Sequence, residues 1–240
     1  MRKIIVAIDG HSSTGKSTVA KRLAKALGYV FIDTGAMYRA VTLYALQNGF
    51  VSEGKLNAQK LTAALPSIEL KFKTNTDTGK SEMYLNGKNV EGEIRSMEVS
   101  KYVSPVATIK EVREKLVAQQ QKMGLEKGIV MDGRDIGTVV FPDAELKIYM
   151  TASAEIRAQR RYQELLGRGE NVSYDEVLKN VQDRDRIDST RETSPLKKAE
   201  DAIEFDNSEL GMEEQFEKIL DLARQKIDLQ GFQNLEGLKP

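Results

Sequence analysis

A short loop between an apolar run and an amphipathic stretch is the feature that most constrains this fold. Residues 4–8 read IIVAI, which is typical of a strand buried on both faces of a parallel sheet. The next segment, 10–17, reads GHSSTGKS and fits the pattern G-x-x-x-x-G-K-[ST]. Apolar residues then recur at helical spacing as far as Gly28, which predicts the helix end. Such a strand, loop and helix indicate a site for the phosphates of a nucleoside triphosphate.

The residue types of this loop explain how it would bind phosphate. Gly10 and Gly15 permit positive φ, so that backbone N–H groups can turn towards an anion. Lys16 adds a positive charge, and Ser17 offers a hydroxyl to Mg²⁺. The positive end of the following helix points the same way. The predicted ATP-binding residues are Gly10, Ser12, Ser13, Thr14, Gly15, Lys16, Ser17 and Thr18.

The rest of the chain alternates between strand and helix patterns. After the first strand, further strands are predicted at 29–32, 128–132, 146–150 and 202–206, of which 128–132 is expected to be buried. Helices are predicted at 36–47, from Ser153 to about 166, after a Ser173–Glu176 capping box, and at 212–227. Residues 188–200 are predicted to be loop. This order indicates βαβ units and therefore a parallel sheet.

Residues 66–95 follow a different pattern, in which apolar and charged residues alternate. Asn86-Gly87 is a strong hairpin signal, and a polar turn is predicted at 74–80. We expect a small antiparallel insert here, beside the parallel core. The helical stretch 99–123 contains Pro105, which we expect to divide it into two helices or to start the second.

Composition restricts the possible functions. Lysine plus arginine and aspartate plus glutamate both number 36, and this balance disfavours a general binder of nucleic-acid polymers or membrane surfaces. The chain has no cysteine and only one histidine, His11, so thiol chemistry and histidine clusters are excluded. No apolar run approaches the about 20 residues that span a bilayer, and the run before Asp9 is too short for a signal peptide. We expect a cytoplasmic, monomeric protein.

The segment after the predicted strand 128–132 suggests what receives the phosphate. Arg134 follows this strand closely, and a guanidinium binds phosphate through two hydrogen bonds. Arg39 follows the second strand, near the sheet edge at which α/β proteins bind ligands. A guanine-specific N-K-x-D motif is absent from the sequence. These residues favour a kinase for a small anionic acceptor, with an ATP-dependent switch protein as the alternative. The arginines between 157 and 191 fit either a phosphate site or a solvated helical hairpin.

Four further stretches carry a family resemblance. They are DTGAMYR at 33–39, GEIR at 92–95, DGRDIGTVVFPDA at 132–144 and RDR at 184–186. In this order behind the phosphate loop, they resemble bacterial cytidylate kinases, which are nucleoside monophosphate kinases. The similarity extends over about residues 3–227.

The resemblance implies a fold, a domain organisation and an activity. The fold is an α/β P-loop kinase, with a five-stranded parallel sheet flanked by helices, a small antiparallel insert and a helical lid. Residues 1–240 form one domain, with a CMP-binding region at about 36–125 that includes the insert 66–95, a lid at about 155–190 and a tail at 229–240. The activity is transfer of the γ-phosphoryl group of ATP to CMP or dCMP with Mg²⁺ as cofactor. UMP, another nucleotide or shikimate remain alternative acceptors.

The resemblance also implies roles for particular residues. The CMP-binding set is Asp33, Thr34, Arg39, Ser104, Arg113, Arg134, Asp135, Asp188 and Arg191. Within it, Ser104, Arg113 and Asp135 are expected to read the base. Asp188 and Arg191 would bind the sugar, and Arg39 and Arg134 the α-phosphate. Thr34 stands where the family commonly has serine, so we expect a tighter site.

Transfer of a phosphoryl group depends mainly on positioning and on charge neutralisation. The predicted catalytic residues are Lys16, Arg134, Arg157, Arg160 and Arg184. Ser17 is predicted to bind Mg²⁺ directly and Asp132 through water. The acceptor phosphate is already an anionic nucleophile, so no general base is expected.

Overall fold

A computed structural model describes residues 2–76, 81–208 and 211–236. The chain forms two compact units. The first unit comprises Met1–Asp33, Gln120–Ile156 and Ser194–Pro240, and the second comprises Thr34–Gln119 and Arg157–Thr193. No helix among the described residues is both long enough and apolar enough to cross a membrane.

The strands, in chain order, are β1 Ile5–Asp9, β2 Val30–Asp33, β3 Val51–Ser52, β4 Lys55–Leu56, β5 Leu70–Thr74, β6 Ser81–Leu85, β7 Lys88–Asn89, β8 Ile129–Gly133, β9 Leu146–Thr151 and β10 Ile203–Asp206. The α-helices are α1 Lys16–Leu27, α2 Thr34–Gln47, α3 Ala58–Ala64, α4 Met97–Thr108, α5 Lys110–Met123, α6 Ala154–Gly167, α7 Tyr174–Thr190 and α8 Met212–Glu236. Short 3-10 turns occur at Leu65–Ser67 and Glu93–Arg95, and a π-helical turn at Ile136–Val140.

The first unit is built on a five-stranded sheet in the order β10-β9-β1-β8-β2. All four strand pairings are parallel. The alternate residues Val6 and Ile8 of β1 are fully buried in a core that also takes side chains from α1 and α8. Because β1 lies at the centre of the sheet, both of its faces are covered and every one of its residues is buried. The predicted α/β fold with a five-stranded parallel sheet is confirmed.

The second unit contains the predicted antiparallel insert, as the sheet β5-β6-β7. Its β6–β7 turn is formed by Asn86 and Gly87, whose φ values of 47° and 83° match the twist that a two-residue hairpin requires. The insert and its hairpin are therefore confirmed. The prediction of a polar turn at 74–80 falls partly on residues 77–80, which lie outside the described part of the chain.

The predicted position of the break between α4 and α5 is wrong. Two helices are present, but Pro105 lies inside α4, and the break comes at Ile109, whose φ and ψ of −72° and 118° are extended. A proline removes only one helical hydrogen bond, and the buried Val103 and Val106 on either side of it anchor this part of α4. Tertiary packing therefore keeps the helix continuous through the proline.

Capping residues define the starts of α6 and α7 as the sequence predicts. The Ser153 hydroxyl accepts a hydrogen bond of 3.3 Å from the backbone N–H of Ile156. Ser173 and Glu176 form a complete capping box. Two helices are longer than predicted: α7 continues to Thr190 and α8 to Glu236. Residues 237–240 of the predicted tail lie outside the described residues.

Candidate active site

Two glycines shape the phosphate loop between β1 and α1. Gly10 has a φ of 146°, and a Cβ added to it would lie 2.1 Å from the carbonyl oxygen of Met150. Gly15 has a φ of 95° and precedes the first residue of α1. Any other residue at Gly10 would collide with the β9 backbone, so the loop can lie against the sheet only with glycine there.

The loop leads directly into the N-terminus of α1. The Gly15 carbonyl accepts hydrogen bonds from the backbone N–H groups of Thr18 and Val19, at 3.1 and 3.2 Å. The first turn of α1 carries no acidic residue that would compensate the positive end of the helix. The start of α1 is thus suited to an anionic ligand, as the sequence predicts.

Lys16 is buried inside the curve of the loop. Its Nζ donates to the carbonyl oxygen of His11 at 2.6 Å and to Oγ1 of Thr14 at 3.3 Å. Burial lowers the pKa of Lys16, and the positive charge of Arg134 lowers it further. A polyanion bound at the loop would oppose both effects and favour the charged ammonium group.

Ser17 and Asp132 form the oxygen-rich part of the first unit's candidate site. The Ser17 hydroxyl donates to Oδ2 of Asp132 at 2.5 Å, which brings the start of α1 to the end of β8. Asp132 pairs in register with Asp33 of β2. Burial raises the pKa of Asp132, and the nearby charge of Asp33 raises it further. A hydroxyl and a carboxylate are hard oxygen donors of the kind that Mg²⁺ prefers, so this pair fits the predicted metal.

Asp9 holds the turn that follows β8. Its carboxylate accepts backbone hydrogen bonds from Ile136 at 2.8 Å and Gly137 at 2.7 Å. Burial raises the pKa of Asp9 to about 7. The turn contains Arg134 and Asp135, so Asp9 fixes the backbone next to two predicted CMP-binding residues. The sequence analysis missed this role, although the position of Asp9 at the end of the first strand is a signal that could have found it.

In the second unit, Ser104 of α4 and Asp188 of α7 are brought together. The Ser104 hydroxyl donates to Oδ1 of Asp188 at 2.8 Å, and both residues are buried. Arg113 is also buried, and its guanidinium carbon lies 5.6 Å from the centre of the Tyr38 ring. Arg113 also donates to the carbonyl oxygen of Ala107 at 3.4 Å. A hydroxyl, a carboxylate and a buried guanidinium therefore occur in one compact unit.

The predicted catalytic arginines of α6 and α7 have different surroundings. Arg157 is buried and forms a two-pronged ion pair with Asp185, with distances of 2.9 and 2.5 Å. Arg184 donates to the hydroxyl of Ser100 at 3.0 Å, whereas Arg160 is exposed. The prediction for Arg157 did not anticipate its carboxylate partner, because Asp185 lies on the next helix.

The remaining predicted residues are distributed over the two units. The first unit contains Asp33, Arg134 and Asp135, together with the phosphate loop; the second contains Thr34, Arg39, Ser104, Arg113, Asp188 and Arg191. Asp33, Thr34, Asp135 and Arg191 are buried, and Arg39 and Arg134 are partly buried.

Comparison with known proteins settles the family. The family model described as "Cytidylate kinase" matches residues 6–225. A cytidylate kinase of Flavobacterium psychrophilum is 66% identical, over 93% of this chain and 99% of that protein. Another, of Flavobacterium johnsoniae, is 62% identical over 95% and 100% of the two chains. The chain belongs to the cytidylate kinase family. The resemblance found in the sequence is thereby confirmed, and the alternative of a switch protein is not supported.

In this member of the cytidylate kinase family, residues in and just after α6 form hydrogen bonds with the GEIR segment and with Met97. Arg168 donates to the Gly92 carbonyl oxygen at 2.7 Å, and Arg161 to that of Arg95 at 2.6 Å. Glu170 accepts a hydrogen bond from the backbone N–H of Met97 at 3.0 Å. All six residues belong to the second unit, so these contacts attach the segment to the region around α6 within that unit.

Proposed function

We propose that this chain catalyses transfer of the γ-phosphoryl group from ATP to CMP or dCMP, giving ADP and CDP or dCDP. The observation that carries the proposal is the hydrogen bond from Ser17, which follows the phosphate loop, to Asp132 of β8 in a member of the cytidylate kinase family. The bond from the γ-phosphorus to its bridging oxygen breaks, and a bond to an α-phosphate oxygen of the acceptor forms. ADP leaves with the bridging oxygen.

The phosphate loop would bind the donor. Lys16 would place its ammonium group against the β- and γ-phosphates, in exchange for its present contact with the His11 carbonyl. The N–H groups at the start of α1 would complete the anion site. Because the transition state of phosphoryl transfer is loose, neutralising charge and holding the reacting groups in line contribute most of the catalysis.

Ser17 and Asp132 would hold Mg²⁺. The Ser17 hydroxyl would be a direct ligand, and Asp132 would act through water. When bound, the ion neutralises phosphate charge. The chain itself positions these two oxygen donors through the neighbouring strands β1 and β8.

The acceptor would be recognised by residues with matching hydrogen-bonding groups. Cytosine presents an amino donor and two acceptors. A carboxylate suits the amino group, so we assign it to Asp135, whereas Arg113 and Ser104 suit the acceptors. Asp188 and Arg191 are assigned to the sugar, with Asp33 and Thr34 completing the set. The α-phosphate is assigned to Arg39 and Arg134.

Arg157, Arg160 and Arg184 are the proposed lid arginines. Arg157 is already paired with Asp185, so contact with a transferring phosphate requires exchange of this partner. Arg184 would likewise leave the hydroxyl of Ser100. The α-phosphate of CMP is an anion near neutral pH and can attack without a general base.

We also propose functions for whole regions of the chain. We assign 36–125 to CMP binding and 155–190 to a lid that excludes water during transfer. We also propose that the enzyme is cytoplasmic and monomeric. Light scattering after size-exclusion chromatography would test whether it is a monomer.

Initial rates of ADP release test the function. ATP and Mg²⁺ are supplied with CMP, dCMP, UMP, AMP or shikimate at equal concentration. We expect fast release with CMP and dCMP and much slower release with the other acceptors. Preference for another acceptor would contradict the assigned substrate, and slow release that no acceptor stimulates would contradict the kinase function itself.

A further inference from the structure

Asn207 contacts the phosphate loop from a distant part of the first unit. It directly follows β10, and its backbone N–H donates to the Thr151 carbonyl oxygen at the end of β9, at 2.8 Å. Its side chain is buried, and Nδ2 donates to the Thr14 carbonyl oxygen at 2.5 Å. The sheet thus fixes the Asn207 backbone while its side chain holds one carbonyl group of the loop.

That carbonyl group belongs to the peptide between Thr14 and Gly15. In a trans peptide the C=O and the following N–H lie in one plane and point in opposite directions. Asn207 binds the carbonyl oxygen, so the Gly15 N–H must point away from Asn207. This N–H is one of the loop donors available to an anion.

Gln215 determines which end of the Asn207 amide faces Thr14. Gln215 lies in the first turn of α8 and is fully buried. Its Nε2 donates to Oδ1 of Asn207 at 2.5 Å. A carbonyl oxygen cannot donate a hydrogen bond, so this contact directs Nδ2 of Asn207 towards the loop.

Packing at Gly15 supports the same arrangement. A Cβ added to Gly15 would lie 2.5 Å from Nδ2 of Asn207. A side chain at this position would displace the Asn207 amide, and the positive φ of the backbone independently favours glycine. The Asn207 amide and the Gly15 backbone form one closely packed layer behind the loop.

We infer that Asn207, oriented by Gln215, is a positioning residue for the phosphate donor. It acts through the Thr14–Gly15 peptide and keeps the Gly15 N–H directed at the donor phosphates. The inference rests on the proposed function, in which the loop binds the phosphates of ATP. Loss of this hydrogen bond should weaken ADP and ATP binding and leave CMP binding unchanged.

The test compares Asn207→Ala, Asn207→Asp and Gln215→Ala with wild type and with Gln225→Ala, an exposed amide on the same helix. Calorimetry measures the dissociation constants of ADP and of CMP, and steady-state kinetics measure the two KM values. Asn207→Asp has nearly the same shape as wild type but sets a carboxylate oxygen against the Thr14 carbonyl. It therefore tests the hydrogen bond with little change in packing.

We expect the dissociation constant of ADP and the KM of ATP to rise about threefold to tenfold in Asn207→Ala, and more in Asn207→Asp. The CMP values should match those of wild type and of Gln225→Ala. Gln215→Ala should have a smaller effect, which disappears in the Asn207→Ala background because Gln215 acts through Asn207.

Two results would overturn the inference. One is wild-type ADP affinity in Asn207→Asp, and the other is an equal loss of ADP and CMP affinity, which would indicate a general structural role. The wild-type protein separates this inference from the proposed function. If wild type binds no ADP, the function fails; if it binds ADP and the variants bind equally well, only the inference fails.

Discussion

The hydroxyl of Ser17 donates a hydrogen bond of 2.5 Å to the carboxylate of Asp132, although the two residues are 115 positions apart in the chain. The contact exists because β1 and β8 are neighbours in the sheet, with Ile8 paired to Asp132. Parallel strands end at the same sheet edge, so the loop after β1 meets the end of β8 there. This edge supplies both oxygen donors proposed for Mg²⁺.

Removal of the Ser17 hydroxyl should change the requirement for Mg²⁺. We expect Ser17→Ala to need a higher Mg²⁺ concentration for half-maximal activity, because one proposed ligand is lost. Ser17→Thr retains a hydroxyl and serves as the matched control. Titration of the initial rate with Mg²⁺ at saturating nucleotide measures the effect, and an unchanged midpoint in Ser17→Ala would exclude Ser17 as a ligand.

Lys16 should stabilise the transition state of phosphoryl transfer. We expect Lys16→Ala to lower kcat by about 100-fold or more, because a preorganised charge on the transferring phosphate is lost. Lys25→Ala, an exposed lysine in the last turn of the same helix, should retain wild-type kcat. Steady-state kinetics measure both. A kcat within twofold of wild type in Lys16→Ala would contradict the proposed donor site.

Arg134 should affect the acceptor more than the donor. We expect Arg134→Ala to raise the KM of CMP about 10-fold to 100-fold, as loss of a charge-assisted hydrogen bond implies, with little change in ADP affinity. Arg134→Lys should recover only part of the loss, because an ammonium group cannot bind phosphate through two parallel bonds. Unchanged kinetics with CMP in Arg134→Ala would show that the acceptor assignment is wrong.

Ser104 should affect the use of CMP as acceptor. We expect Ser104→Ala to lower kcat/KM for CMP about threefold to tenfold, since a hydrogen bond to the base is lost and Asp188 loses this donor. Ser173→Ala removes an exposed capping hydroxyl of α7 and is the control for a general loss of stability. Rates with CMP and UMP measure the effect. An equal fall for both variants would indicate that Ser104 only supports the fold.

Features determined by neighbouring residues could be predicted from the sequence. The Ser173–Glu176 capping box and the Asn86-Gly87 turn depend on a few consecutive residues, and the structure contains both. The glycine-rich loop can likewise be recognised from the sequence, because its backbone conformation needs glycine at fixed positions. The central strands β1 and β8 can be predicted equally well, since a parallel sheet covered on both faces leaves continuous apolar runs.

Features that depend on distant contacts could not be predicted in this way. Asn207 is 193 positions from Thr14, and nothing in the residues around it indicates that its amide holds the phosphate loop. The sequence predicts a phosphate-binding role for Arg157, whereas its ion-pair partner Asp185 lies on the next helix and is identified only once α6 and α7 are packed together. Pro105 is a local signal for a helix break, but packing of the residues on both sides of it keeps α4 continuous.

Asp9 should make stability depend on pH. Burial raises its pKa to about 7 in the folded protein, against an ordinary value of 3.8. The folded state then binds more protons than the unfolded state between about pH 4 and 7, so this contribution to the free energy of unfolding falls as pH rises through that range. The full difference corresponds to at most about 4 kcal/mol.

The variant Asp9→Asn removes the titration of Asp9. Because the Asp9 charge also raises the pKa of Lys16, the same pair is compared in a Lys16→Ala background, where this coupling is absent. Urea unfolding at several pH values between 4 and 7.5 measures the free energy for both proteins. We expect the wild-type value minus the Asp9→Asn value to decrease steadily as the pH rises. A difference that is constant or increases with pH would show that Asp9 is ionised throughout, with the two backbone N–H groups of Ile136 and Gly137 outweighing its burial.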